Sequence, residues 1–126
     1  MKKHIYIGTF PLGHLNVELY GLPDESNGYF FCRPDDKSPP RIKVGMDTHT
    51  WEECVSILLH ETFEMLMASV RCRYETSGVH GDHASYTFMF THTQFCDLCE
   101  SQARFLTPAL PKLATAWNRI HKKEIE

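Results

Sequence analysis

The chain contains no long apolar run. A membrane-spanning helix needs roughly 20 consecutive apolar residues, and no stretch of this sequence comes near that. After the opening Met-Lys-Lys, the segment HIYIGTF alternates instead of forming an apolar block, and no small-residue cleavage site follows. The expectation is therefore a cytoplasmic protein with no membrane association. Positive charge is also scarce. The 13 Lys and Arg residues are outnumbered by 16 Asp and Glu, leaving a formal net charge of -3, and the basic residues are scattered. Without a basic field to hold phosphate backbones, nucleic-acid binding is not expected. The 7 glycines are isolated and build no GxxxxGK[ST] phosphate loop. No GxSxG elbow marks a nucleophilic serine either.

Cysteine is present in an odd number, 5, at Cys32, Cys54, Cys72, Cys96 and Cys99. That argues against a disulfide framework and for free thiols in a reducing compartment. Cys96 and Cys99 have the CxxC spacing of zinc and redox motifs. With no second CxxC pair and no thioredoxin-like strand before it, FCDLC is read as two buried thiols on a core-facing helix. A zinc site shared with Cys32 or Cys72 is the alternative.

What the sequence does hold is enough apolar material for one core. Its 126 residues, 42% hydrophobic and 12% aromatic, point to a single domain spanning 1–126. Strand-like runs occupy 4–10, 15–20, 28–33 and 41–46, each bounded by Pro, Gly, Asn or Asp. They suggest a four-strand antiparallel meander, with ASYTFMF (84–90) as a fifth strand. Thr50 and Glu53 form a capping box that opens a helix running to about Arg71. Thr91 and Gln94 form a second box before FCDLCESQARFL. Thr107-Pro108 then starts a third helix or a kinked continuation. The fold class expected is α+β, an antiparallel sheet of four to five strands packed against two to three helices.

Helical periodicity on the first helix places Trp51, Val55, Leu58, Thr62 and Leu66 on one buried face, flanked by Cys54, Leu59, Phe63, Met65 and Val70. Glu53, His60, Glu64 and Arg71 form a stripe opposite, with Glu61 turned somewhat aside. His60 and Glu64, four residues apart, point the same way and can each give one ligand atom to a single divalent ion. Glu61 then stands where it can take a proton from a water held by that ion. A third ligand must come from elsewhere. His83 in the loop VHGDHAS, or His92 at the start of the next helix, is the donor expected, and His80 and Asp82 lie close by in sequence. The competing interpretation is a solvated helix face whose charges pair weakly with one another.

The segment RIKVGM followed by LLHETFE resembles the minimal zincin core, an edge strand and then a helix carrying HE and a ligand four residues on. The likeness covers roughly residues 41 to 106, and it is an HExxE variant of the HExxH motif. It implies His60 as a ligand, Glu61 as general base, and Glu64 where zincins place their second histidine. The cofactor implied is a divalent metal, with zinc first and manganese or iron as alternatives, since a carboxylate ligand makes the site harder and more anionic. The activity implied is hydrolysis of a peptide or amide bond. The LLHE helix followed by DHASYTF and THTQF also resembles small, functionally uncharacterised bacteriophage proteins. That likeness is of pattern and carries no known activity; the alternative expectation beside hydrolysis is a non-catalytic binding or inhibitor protein, phage-encoded and acting on a peptide or protein target in a host cytoplasm, with a structural metal or none.

Overall fold

The structure, a computed structural model, describes residues 3–33, 37–75 and 86–125. Strands β1 (Ile5–Leu12), β2 (Leu15–Leu22), β3 (Gly28–Phe31) and β4 (Arg41–Gly45) precede helix α1 (Trp51–Ser69). Strands β5 (Arg73–Glu75) and β6 (Tyr86–Phe88) precede helix α2 (His92–Ile125).

β1 and β2 form a hairpin that turns within Pro11-Leu12-Gly13-His14. Leu12 pairs with Leu15 across a two-residue turn, and Gly13 adopts φ 61°, a conformation that costs glycine nothing. The meander ends there. The main sheet is mixed, with strand order β1-β2-β4-β3, and β4 runs parallel to β2 and antiparallel to β3. The reason lies in the side chains. Ile42, Val44 and Met46 follow one another along one face and are all fully buried, so this segment sits over the middle of the core and takes a central position. Gly28–Phe31 is only partly buried and suits an edge. Backbone hydrogen bonds hold the crossing: Gly45 N–H donates to the Asn27 carbonyl at 2.8 Å, and Asp47 N–H donates to the Glu25 carbonyl at 2.9 Å. RIKVGM is therefore an interior strand, and the edge flanking α1 is β3. The fifth strand does not join this sheet either, because β6 pairs with β5 in a separate two-stranded ribbon.

Both helix starts are capped where the sequence marks them. The Thr50 hydroxyl accepts from Glu53 N–H at 3.2 Å, while the Glu53 carboxylate accepts at 3.2 Å from His49 N–H, one residue before the cap. Thr91 and Gln94 close the reciprocal box at the start of α2, each side chain accepting from the other's backbone N–H. α2 then continues as one helix through Pro108 and Pro111. Each proline removes a backbone donor, yet Phe105, Ala109 and Leu113 are fully buried at i, i+4 and i+8, and this line keeps the helix on the sheet. Phe105 meets Phe10 edge-on, with ring centroids 5.6 Å apart. Among the described residues no helix is long and apolar enough to cross a membrane.

Phe105 is the largest fully buried side chain and joins α2 to the sheet. Phe105→Ala is expected to cost about 3–5 kcal/mol of unfolding free energy, measured by urea denaturation. A loss under about 1 kcal/mol would show that this contact is not part of the core.

Candidate functional site

The buried face of α1 carries Cys54, Leu58, Thr62, Met65 and Leu66, and it seats the helix across β3 and β4. Leu59 and Val70, expected on the flanks of that face, are instead exposed. Glu61 moves the other way: only 8% of it is exposed, where the sequence pattern set it beside the polar stripe. The cause is Gly28 on β3. A Cβ atom at that position would stand 2.7 Å from Glu61 Cγ and 2.6 Å from Ile57 Cγ2, so it is the missing side chain that lets strand and helix approach so closely.

Between β3 and α1 lies a cleft of about 690 Å³ lined by Ser26, Asn27, Gly28, Tyr29, Ser56, Ile57, His60 and Glu61. A second depression, of about 450 Å³, shares Ser26, Ser56 and Ile57 and extends the groove along α1 toward His49. Glu61 makes no hydrogen bond or ion pair with any described residue, and it lines the cleft. Burial pushes its pKa up. The charge on His60 opposes that shift and the charge on Glu64 adds to it.

His60 and Glu64 meet as their spacing requires. His60 Nε2 lies 2.9 Å from Glu64 Oε2, with the imidazole largely in solvent and the carboxylate mostly covered. Two ligands of one tetrahedral ion sit about 3.3 Å apart at ordinary metal–ligand lengths, so the pair fits one edge of such a shell after a small adjustment. The other oxygen of Glu64 is in use, because Arg73 Nη1 donates to Oε1 at 2.8 Å. The Arg73 guanidinium also lies over Tyr86 at 4.4 Å and near Phe30 at 5.4 Å, tying α1, β3 and β6 together. No periodicity reveals Arg73, since it joins the site across three elements. Arg71, placed in the polar stripe by the sequence, lies beyond the helix end with φ 61°.

His92 stands at the start of α2 next to Cys96. Among the described residues no group of three His, Cys, Asp or Glu side chains is gathered closely enough to hold an ion. His83, with His80 and Asp82, lies outside the described residues. The expectation for the CxxC pair is overturned. Cys96 and Cys99 are both exposed, and the core contact of that segment is Leu98.

The chain matches no family model, no curated protein and no solved structure.

The raised pKa of Glu61 has a stability signature. A carboxyl group whose folded pKa lies above its unfolded value destabilises the fold when it ionises, and that penalty is absent below the unfolded value. The penalty grows as pH rises through the folded value. Glu61→Gln should therefore raise the urea midpoint relative to the parent more at pH 7 than at pH 4. A gain equal at both pH values would show that Glu61 ionises without penalty.

Proposed function

We propose that this chain is a metal-dependent hydrolase of peptide or amide bonds, with Glu61 as general base and His60 and Glu64 as two ligands of a divalent ion. The observation that carries this reading is the position of Glu61, a nearly buried carboxylate that lines the cleft, makes no hydrogen bond among the described residues and is adjacent in sequence to His60. Burial raises the pKa of Glu61, the direction of shift that favours a general base. When bound, the ion would supply Lewis acidity for a carbonyl group and for water. Zinc is the first choice, and the carboxylate ligand also accommodates manganese or iron.

The chain's own residues divide the remaining tasks. Glu61 would take a proton and return it to the leaving amine. Arg73 would hold the Glu64 carboxylate in a fixed direction, as outer partners of metal ligands do. Among the described residues β3 has no strand neighbour on its outer side, and an extended peptide would lie along that edge above α1. A third ligand is required, with His83 ahead of His92, which sits beside Cys96.

Arg73 also supports a second reading, a non-catalytic binding or inhibitor protein of bacteriophage type acting in a host cytoplasm. With His60 on one oxygen of Glu64 and Arg73 on the other, the three side chains form a self-contained polar cluster. In that case the groove along α1 takes a target segment and no bond is cleaved.

Glu61→Gln separates the two. Assayed on a mixed peptide library with Zn²⁺, Mn²⁺ or Fe²⁺, the parent should cleave, and the variant should lose about 100-fold or more of kcat/KM while keeping its fold and bound metal. Cleavage that survives in the variant would rule out Glu61 as the base. No cleavage by the parent would favour the binding protein.

A further inference from the structure

The first turns of α2 stand away from the core. From His92 to Glu100 only Leu98 is buried. At about 100° per residue, His92, Phe95, Cys96 and Cys99 occupy one stripe of the helix, at i, i+3, i+4 and i+7. Both thiols are exposed, and the His92 ring nitrogens lie 4.0 Å from Cys96 Sγ. Phe95 stacks on Phe90 with centroids 5.8 Å apart, yet each remains about 40% exposed, and Met89 beside them is 64% exposed. Soft metal ligands thus share one surface with an apolar patch left facing water.

We propose that Cys96 and Cys99 bind a thiophilic cation such as Zn²⁺, and that a second copy of this chain completes its coordination shell. Side chains at i and i+3 on a helix have Cβ atoms about 5–6 Å apart. Two thiolates at about 2.3 Å from one zinc ion sit roughly 3.8 Å from each other, so side-chain rotation alone brings both sulfurs to one ion. They fill half of a tetrahedral shell. His92 is beside Cys96, but among the described residues no group of three His, Cys, Asp or Glu is gathered closely enough to hold an ion. A two-fold axis through the ion supplies the missing half as the same two cysteines of the other copy, in the self-complementary contact typical of homodimers. The same approach covers Phe95 and Phe90 from both sides. Binding releases two thiol protons from each chain, and a His92 N–H can donate to the Cys96 thiolate, as outer partners of metal ligands do. This site shares no ligand with the cleft at Glu61 and does not depend on hydrolysis.

Cobalt replaces zinc as a visible probe, because thiolate ligation gives a sulfur-to-cobalt charge-transfer absorption that nitrogen and oxygen ligands such as His60 and Glu64 do not produce. Titrating Co²⁺ into the reduced full chain should raise this absorption to saturation at one ion per two chains. Sedimentation should shift from monomer to dimer, and Zn²⁺ should bleach the signal. Cys96→Ser with Cys99→Ser should abolish the absorption and the dimer while helical circular dichroism is retained. In the unmodified chain, Zn²⁺ should slow alkylation of these two cysteines at least tenfold. Absence of the absorption, its survival in the double variant, saturation at one ion per chain in a monomer, or unchanged alkylation would each overturn the proposal.

Discussion

The seating of α1 on β3 and β4 is the contact on which the rest of the site depends. Leu58, Met65 and Leu66 are sealed into the same apolar cluster as Ile42 and Val44, and that burial fixes the rotation of the helix about its axis. Once the rotation is fixed, the directions of three polar side chains follow from the 3.6-residue turn. His60 points to solvent, Glu64 toward Arg73, and Glu61 under the edge of β3. A few tens of degrees of helix rotation would bring Glu61 into water and its ordinary chemistry with it.

The mixed sheet contributes as much as the helix. Because β4 takes the interior position beside β2, β3 becomes the edge strand, and Gly28 comes to lie against Ile57 and Glu61. The groove exists because one wall is a strand with no side chain at the closest point. Arg73 then fixes the other end, where its guanidinium spans the carboxylate of α1 and the aromatic rings of β3 and β6. Among the described residues no buried side-chain nitrogen or oxygen is left without a hydrogen-bond partner.

Local signals in the sequence located what local physics decides. Thr50 with Glu53 and Thr91 with Gln94 marked both helix starts, because capping chemistry acts over three or four residues. The i, i+4 pairing of His60 with Glu64 was legible for the same reason. The parallel partnership of β2 and β4 was not, since alternation reports which faces are buried and not which strand lies alongside. The burial of Glu61 was hidden too. It sits at the border of the apolar arc, and its fate is decided by Gly28, 33 positions earlier in the chain. FCDLC misled because its apolar residues suggest a core-facing helix, whereas only Leu98 reaches the core and the two thiols flank it in solvent.

The pair His60–Glu64 as one half of a metal centre is the claim on which the enzymatic reading stands. Its most direct test is calorimetric titration of Zn²⁺ into the chain carrying Cys96→Ser and Cys99→Ser, which removes the thiol pair on α2 from the signal. One equivalent should bind, and either His60→Ala or Glu64→Gln added to that background should weaken binding at least about 10-fold, as loss of a ligand or its outer partner does. Zinc that fails to bind, or that binds equally well without His60, would make the pair a surface ion bridge clamped by Arg73.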